Sequence, residues 1–408
     1  SPMEPGPALL RDPEEWMPIY FTETSEPVSI FGSCAFMHRD SLKLVTCSGT
    51  QALCTWQTVS EDTTDTVDPI STYTWETSEL SLANKSSARI VSIAAESMAT
   101  DNKLLLWVAC SQRSRDSNNM KHFLNVYGSE YSLLDSLGVI TSTSHLVELN
   151  ASPGPLVKIP AIAASIFLLA CGEQCLAFEY NANNEPSIVA LDLCPFFSDL
   201  PPAKGGIASL CCVPCAEGML VGYGSYEGIA TFGRFSLHDD PTLSKEGSTQ
   251  SPWWECLQQV VVHLDVAPLT ALCPLPSDPN IIVITSAIGQ ASIHDVRPTS
   301  PAAPLIIPLT SAESLLCALV VPVSTAGSDM ILLGSFGCTI WGWERHRATG
   351  EVTLRWKKGM SAAVSSLHLC DLTGDGLEEL VAVTHRGVHF FRLSIFPYMD
   401  TIRASICE

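Results

Sequence analysis

One hydrophobic phrase recurs along the chain: an apolar opening strand, a short gap, a strand rich in Leu, Ile and Val, a turn, and a strand ending in an aromatic or apolar residue. It opens seven times, at Val28, Arg89, Pro155, Gly206, Pro268, Ser314 and Ala363, at intervals of 46 to 66 residues. The fourth is typical, with GIASLCCVP from Gly206 followed by MLVGYGSYEGIATFGRF from Met219. The third has the weakest opening strand. Six hairpins carry a glycine at or near the turn (Gly49, Gly172, Gly228, Gly289, Gly337, Gly387), where a tight connection needs positive φ at little steric cost. The second has the polar run Ser111 to His122 instead, which predicts a loop. Between hairpins, CLQQVVVHL from Cys256, APLIIPL from Ala303 and VTLRW from Val352 predict a fourth, outer strand.

Four strands per repeat is the β-propeller number. An open, twisted sheet seldom exceeds about ten strands, so the repeats must close radially. The expectation is an all-β, seven-bladed β-propeller forming a single domain over 1–408, with residues 1–15 disordered. WMPIYFTET, Trp16 to Thr24, is the spare strand and is expected to pair with the seventh blade to close the ring. A pair of β-sandwiches is the competing architecture, but it does not account for seven similar hairpins in series.

Composition narrows the function classes. With 22 basic against 43 acidic residues the formal charge is −21, which repels phosphate backbones and anionic headgroups, so nucleic acid is not an expected ligand. The longest apolar stretch, SLLCALVVPV from Ser314, is interrupted by proline and too short to span a bilayer, so no membrane insertion is expected. The start, SPMEPGP, lacks the basic flank and apolar run of a secretory signal, which points to the cytoplasm. Cysteines such as Cys47, Cys54, Cys110, Cys273 and Cys317 sit in apolar runs without disulfide spacing, as reduced thiols acting as small hydrophobes do.

One segment carries metal chemistry. DLTGDGLEEL, Asp371 to Leu380, matches the nine-residue calcium loop of the FG-GAP repeat except that Thr373 stands at the third position. Asp371, Thr373, Asp375 and Glu379 offer oxygen ligands for Ca2+, and Gly376 permits the sharp turn. The same loop also reads as a metal-free turn, which its neutral third ligand and its single occurrence favour; no other cofactor is expected. Cys211, Cys212 and Cys215 form CCxxC, but zinc needs four ligands and no second pair lies at finger-like spacing. No nucleophile elbow, HExxH or kinase signature is present, and no enzyme activity is expected. The main basic island on this acidic chain is Arg345, Arg347, Arg355, Lys357 and Lys358, interleaved with Trp341, Trp343 and Trp356. It reads either as a solvated outer hairpin or as a partner-docking patch, because Arg and Trp are enriched at binding hot spots.

Four segments together resemble the kaptin family of KICSTOR components: FLNVYGSEYSLLDS from Phe123, CLQQ from Cys256, SLLCALVVPV from Ser314, and above all DLTGDGLEELVAVTHRGVHFF from Asp371. The resemblance implies a non-enzymatic adaptor. It would pair with a second FG-GAP-containing propeller and other KICSTOR subunits, act in the cytoplasm at the lysosomal surface, and restrain mTOR complex 1 when nutrients are scarce. It also implies actin association, which the acidic surface supports poorly. An integrin-like extracellular propeller is a further alternative, but it would carry several consecutive calcium loops.

Overall fold

The computed structural model describes residues 16–24, 28–38, 41–49, 51–60, 72–80, 88–98, 103–114, 119–130, 143–160, 165–181, 187–191, 203–216, 218–238, 253–265, 267–297, 303–309, 313–323, 327–371 and 378–393. The regular elements among them are strands, and no helix is long and apolar enough to cross a membrane. The segment 1–15 lies outside the described residues.

Strands follow one another as antiparallel meanders. After β1 (Trp16–Glu23), the first meander runs through β2 (Val28–His38), β3 (Ser41–Ser48), β4 (Gln51–Ser60) and β5 (Thr72–Leu80). The second is β6 (Ala88–Met98), β7 (Lys103–Arg113), β8 (Met120–Glu130) and β9 (Thr143–Leu149). The third is β10 (Pro153–Lys158), β11 (Ser165–Cys171), β12 (Gln174–Asn181) and β13 (Ser187–Leu191). The fourth is β14 (Ile207–Cys215), β15 (Gly218–Ser225), β16 (Ile229–His238) and β17 (Trp253–His263). The fifth is β18 (Leu269–Leu275), β19 (Asp278–Ser286), β20 (Ala291–Asp295) and the short β21 (Leu305–Ile306). The sixth is β22 (Leu315–Val323), β23 (Ser328–Ser335), β24 (Thr339–His346) and β25 (Val352–Gly359). The last comprises β26 (Val364–Cys370), β27 (Glu379–Thr384) and β28 (Gly387–Leu393). It is completed by β1, which pairs antiparallel with β28 from Trp16 opposite Leu393 to Glu23 opposite Gly387.

Strand pairing counts six sheets, not the seven expected from sequence. Five have four strands and one has eight. The physical reason is a single parallel pairing, Phe31 with Ser92, which joins β2 to β6 and fuses the first two meanders. The loop expected between the second pair of strands is also shorter than its polar composition suggests. β7 and β8 extend into it, pairing Ser111 with His122 and Arg113 with Met120.

The hydrophobic pattern explains this arrangement. Second strands are apolar on both sides: Leu105 to Cys110 on β7 and all of β27 are buried. A strand covered on both faces reads as a continuous apolar run, whereas the peripheral β25 alternates in exposure. The core is accordingly divided into wedges between successive meanders. Trp107 of β7 meets Phe167 of β11 with ring centroids 4.6 Å apart. Trp341 and Trp343 pack with Val283, Ile331 and Leu333 between the fifth and sixth meanders. Fully burying one such large apolar side chain contributes roughly 1.5–3 kcal/mol.

Opening strands share a register shift near their start, between Ile90 and Ser92, Ile207 and Ser209, Leu315 and Cys317, and Val364 and Ser366. Such bulges bend a strand and re-aim its side chains. The opening strands pack in succession, β2 on β6, β6 on β10, and so on to β26, which returns to β2. They enclose a cavity of about 320 Å³ to which β2, β6, β10, β14, β18, β22 and β26 all contribute residues. This is a β-propeller arrangement, and it turns the hairpin ends of the later meanders toward one face of the ring.

Candidate protein-interaction site

Turns between second and third strands are built alike in the last four meanders. Each begins with a hydroxyl residue that ends the second strand: Ser225, Ser286, Ser335 and Thr384. Ser225 Oγ accepts from the Ile229 amide at 3.0 Å, and Ser335 Oγ accepts from the Thr339 amide at 3.2 Å, so the side chain holds the turn from inside. The next residue donates its amide to the segment preceding the opening strand: Tyr226 to Gly206 at 3.1 Å, Ala287 to Pro268 at 2.9 Å, Phe336 to Ser314 at 2.8 Å and His385 to Ala363 at 3.0 Å. Turn and segment therefore meet on the same face.

That geometry fixes the backbone and sends one side chain outward. Tyr226 is 52% exposed, Ile288 48% and Phe336 59%. Phe336 is flanked by His385 at a ring separation of 6.2 Å, edge-on. Carboxylates stand beside these side chains. Glu313 accepts from Ser335 Oγ at 3.0 Å and lies against Gly337, while Glu173 accepts from the Gly205 amide at 3.1 Å. One turn departs from the sequence expectation. In the sixth meander the residue with positive φ is Cys338, at 59°, and not Gly337.

The basic residues singled out in the sequence do not form one patch. Arg345 and Arg347 lie at one end of the sixth sheet, where both reach Asp329: Arg345 Nη1 at 3.5 Å and Arg347 Nη2 at 3.0 Å. Asp329 is wholly buried and also accepts from Ser277 of the neighbouring meander at 2.8 Å. Arg355 is paired with Glu344. Burial pushes the Glu344 carboxyl up, but hydrogen bonds from Ser328 and Arg355 outweigh it and hold the group below its ordinary value. Lys357 is exposed, with its ammonium 4.1 Å from the centre of the Trp341 ring, and Lys358 lies 4.7 Å from that of Phe391. Burial lowers the Lys358 pKa. Register explains the separation: Arg345 is opposite Val352 and Lys358 opposite Ile340, near opposite ends of β25. Eight residues of strand span about 25 Å.

In the calcium-loop segment, Thr373 and Asp375 lie outside the described residues. Asp371 follows β26, and Glu379 opens β27 with no exposed surface, its Oε1 accepting two hydrogen bonds from Arg392 at 3.1 and 2.8 Å. Among the described residues no group of three or more His, Cys, Asp or Glu side chains is arranged to hold a metal ion. Cys211 and Cys212 fall in separate wedges on either side of β14. Burial pushes the thiols of Cys211 and Cys317 up to about 12, where they act as apolar fillers.

A polar cluster in the central cavity has no counterpart in the sequence reading. Ser33 Oγ lies 2.5 Å from Ser366 Oγ and 2.9 Å from His368 Nε2, and Ser366 Oγ lies 3.2 Å from the same nitrogen. Burial pushes His368 down to about 4, so it is neutral and a weak base.

The fold defines a β-propeller whose outward chemistry is a set of rigid turns. Compared with known proteins, residues 277–399 match the family described as KICSTOR complex protein kaptin. The chain is 28% identical over 94 residues to the mouse (Mus musculus) KICSTOR complex protein kaptin, a stretch covering 22% of each protein. The resemblance to kaptin drawn from the sequence is thereby borne out over the later meanders. Among solved structures, the crystal structure of Chaetomium thermophilum Raptor aligns with a TM-score of 0.53 at 12% identity, over 93% of this chain and 29% of that one. That likeness is one of fold alone.

Proposed function

We propose that this chain is a non-enzymatic protein-interaction scaffold of the kaptin kind. In this reading it is a subunit of a KICSTOR-type assembly, recruited from the cytoplasm to the lysosomal surface, that restrains mTOR complex 1 when amino acids or glucose are scarce. Its ring counts as seven blades in one domain, the eight-stranded sheet being two blades joined at Phe31 and Ser92. The observation that carries the reading is the family match over 277–399, which runs from β19 to just beyond β28 and includes the exposed turns at Ile288 and Phe336. A scaffold role is also supported by the cavity chemistry. Ser33 and His368 meet, but a histidine pushed down to about 4 is poorly suited to remove a proton from serine near neutral pH.

The partners are other KICSTOR subunits, above all a second FG-GAP-containing propeller. Affinity purification of the tagged chain from nutrient-starved cells, followed by crosslinking mass spectrometry, tests this. The expected result is recovery of those subunits with crosslinks to the later meanders. Recovery of none of them overturns the assignment.

A further inference from the structure

We propose that the arc of turns bearing Tyr226, Ile288 and Phe336 is a docking surface for a basic peptide segment with large apolar anchors, supplied by a partner protein. The inference rests on the scaffold reading and goes beyond it by naming the surface and the chemistry of its occupant.

Turn tips usually carry small or polar residues, because they face water. Here three consecutive meanders each place a large apolar side chain at a tip. Tyr226 and Phe336 occupy the same position after the turn hydroxyl, and Ile288 stands one residue later in the turn that follows Ser286. None is left outside by a loose backbone. The amides of Tyr226 and Phe336, and that of Ala287 next to Ile288, are tied to the neighbouring segment. The tyrosine ring is steadied from below, where a β-carbon added at Gly206 would lie 3.5 Å from it. Turn backbones held this way lose little freedom on binding, which is a property of a preorganised anchor site.

Charge selects the occupant. Glu173, Glu227, Asp265 and Glu313 border the arc, against Lys204, Lys358 and Arg386, and the chain as a whole carries −21. Asp265 belongs to the same face because the preceding residue, Leu264, donates to Gly228 in the turn that holds Tyr226. A cationic segment is steered toward such a surface, and an acidic one is repelled. Packed sheets lie roughly 10 Å apart, and a segment in the polyproline II conformation advances about 3.1 Å per residue with every third side chain on the same side. Apolar anchors about three residues apart, with Arg or Lys between them, therefore match successive turns.

The test uses the full chain and three fluorescent heptapeptides: Phe-Arg-Lys-Leu-Arg-Lys-Phe, a version with serine at the three apolar positions, and a version with glutamate at the four basic positions. Fluorescence anisotropy at about 150 mM salt, where charge attraction is screened as in the cell, should show binding of the first and at least roughly tenfold weaker binding of the other two. A variant carrying Tyr226→Ser, Ile288→Ser and Phe336→Ser, with an unchanged melting temperature, should bind the first peptide at least about tenfold more weakly, as loss of anchor residues does. Single substitutions provide the same comparison should the triple variant melt lower. No binding by the wild type, equal binding of the serine peptide, or undiminished binding by the variants overturns the proposal. Purification from cells separates the two levels. Absence of peptide binding together with recovery of KICSTOR subunits overturns the arc and leaves the scaffold standing, whereas peptide binding without those subunits does the reverse.

Discussion

Ser33 Oγ on β2 and His368 Nε2 on β26 lie 2.9 Å apart, so the first and last opening strands share a hydrogen bond inside the ring. Burial holds His368 neutral, with its pKa pushed down from 6.5 to about 4. Between those values the unfolded chain takes up a proton that the folded chain refuses, and stability is lost as pH falls through that window.

His368 alone contributes on the order of 2 kcal/mol to this loss, after allowance for its partial exposure to the cavity. Burial lowers the pKa values of His294 and His389 as well, and they act with the same sign. Urea unfolding near pH 7.5 and again near pH 5, on either side of the ordinary histidine value, should show the wild type losing more stability than His368→Gln. Equal losses in the two proteins would show that His368 plays no part.

Charge reversal in the basic segment should separate structure from surface. Arg345→Glu places a carboxylate beside the buried Asp329 and should destabilise the protein by about 3 kcal/mol or more. Lys357→Glu, which removes only a cation–π contact at an exposed position, should change stability by less than about 1 kcal/mol. Thermal melting of the two variants decides the matter, and similar melting temperatures would contradict the pairing described.

Cys338 holds a left-handed backbone conformation at φ 59°, where Gly228 and Gly289 serve in the preceding meanders at 82° and 79°. A side chain there costs roughly 1–2 kcal/mol, partly offset by the greater freedom of glycine in the unfolded chain. Cys338→Gly should raise stability by about 0.5–1 kcal/mol, and a lower melting temperature would count against the assigned backbone.

Closure depends on Gly387. A β-carbon at this position would collide with the Thr22 carbonyl of β1 and with the Phe21 ring. Gly387→Val should cost about 3 kcal/mol or more and detach β1 from β28. Limited proteolysis, followed by mass spectrometry, should show cleavage just after β1 at protease levels that leave the wild type intact. An unchanged digestion pattern would mean that the seam tolerates the added side chain.

Much of the fold was legible because it rests on local patterning. All seven opening strands start within two residues of the positions read from the sequence, and β1 pairs with β28 as Trp16 to Thr24 suggested. The sheet count was not legible, since one parallel pairing between Phe31 and Ser92 leaves no trace in composition. The basic island disperses for a related reason. Residues close in sequence on a strand lie far apart in space, and Asp329, which draws in two of the arginines, stands on the preceding strand of the hairpin. Ser33 and His368 come from opposite ends of the chain and meet only when the ring closes. The exposed turns did leave a signal. A hydroxyl residue ending a second strand and followed by Tyr226, Phe336 or His385 marks the same point in the repeat, although the turn glycines beside it are the stronger mark in composition.

The pairing of β1 with β28 also sets an order of assembly. A ribosome releases β1 long before β28 exists, so the growing chain carries an unmatched strand through most of its synthesis while neighbouring hairpins condense. The ring can lock only after β28 emerges, and until then both edges of the seam are open to chaperones or to a wrong strand.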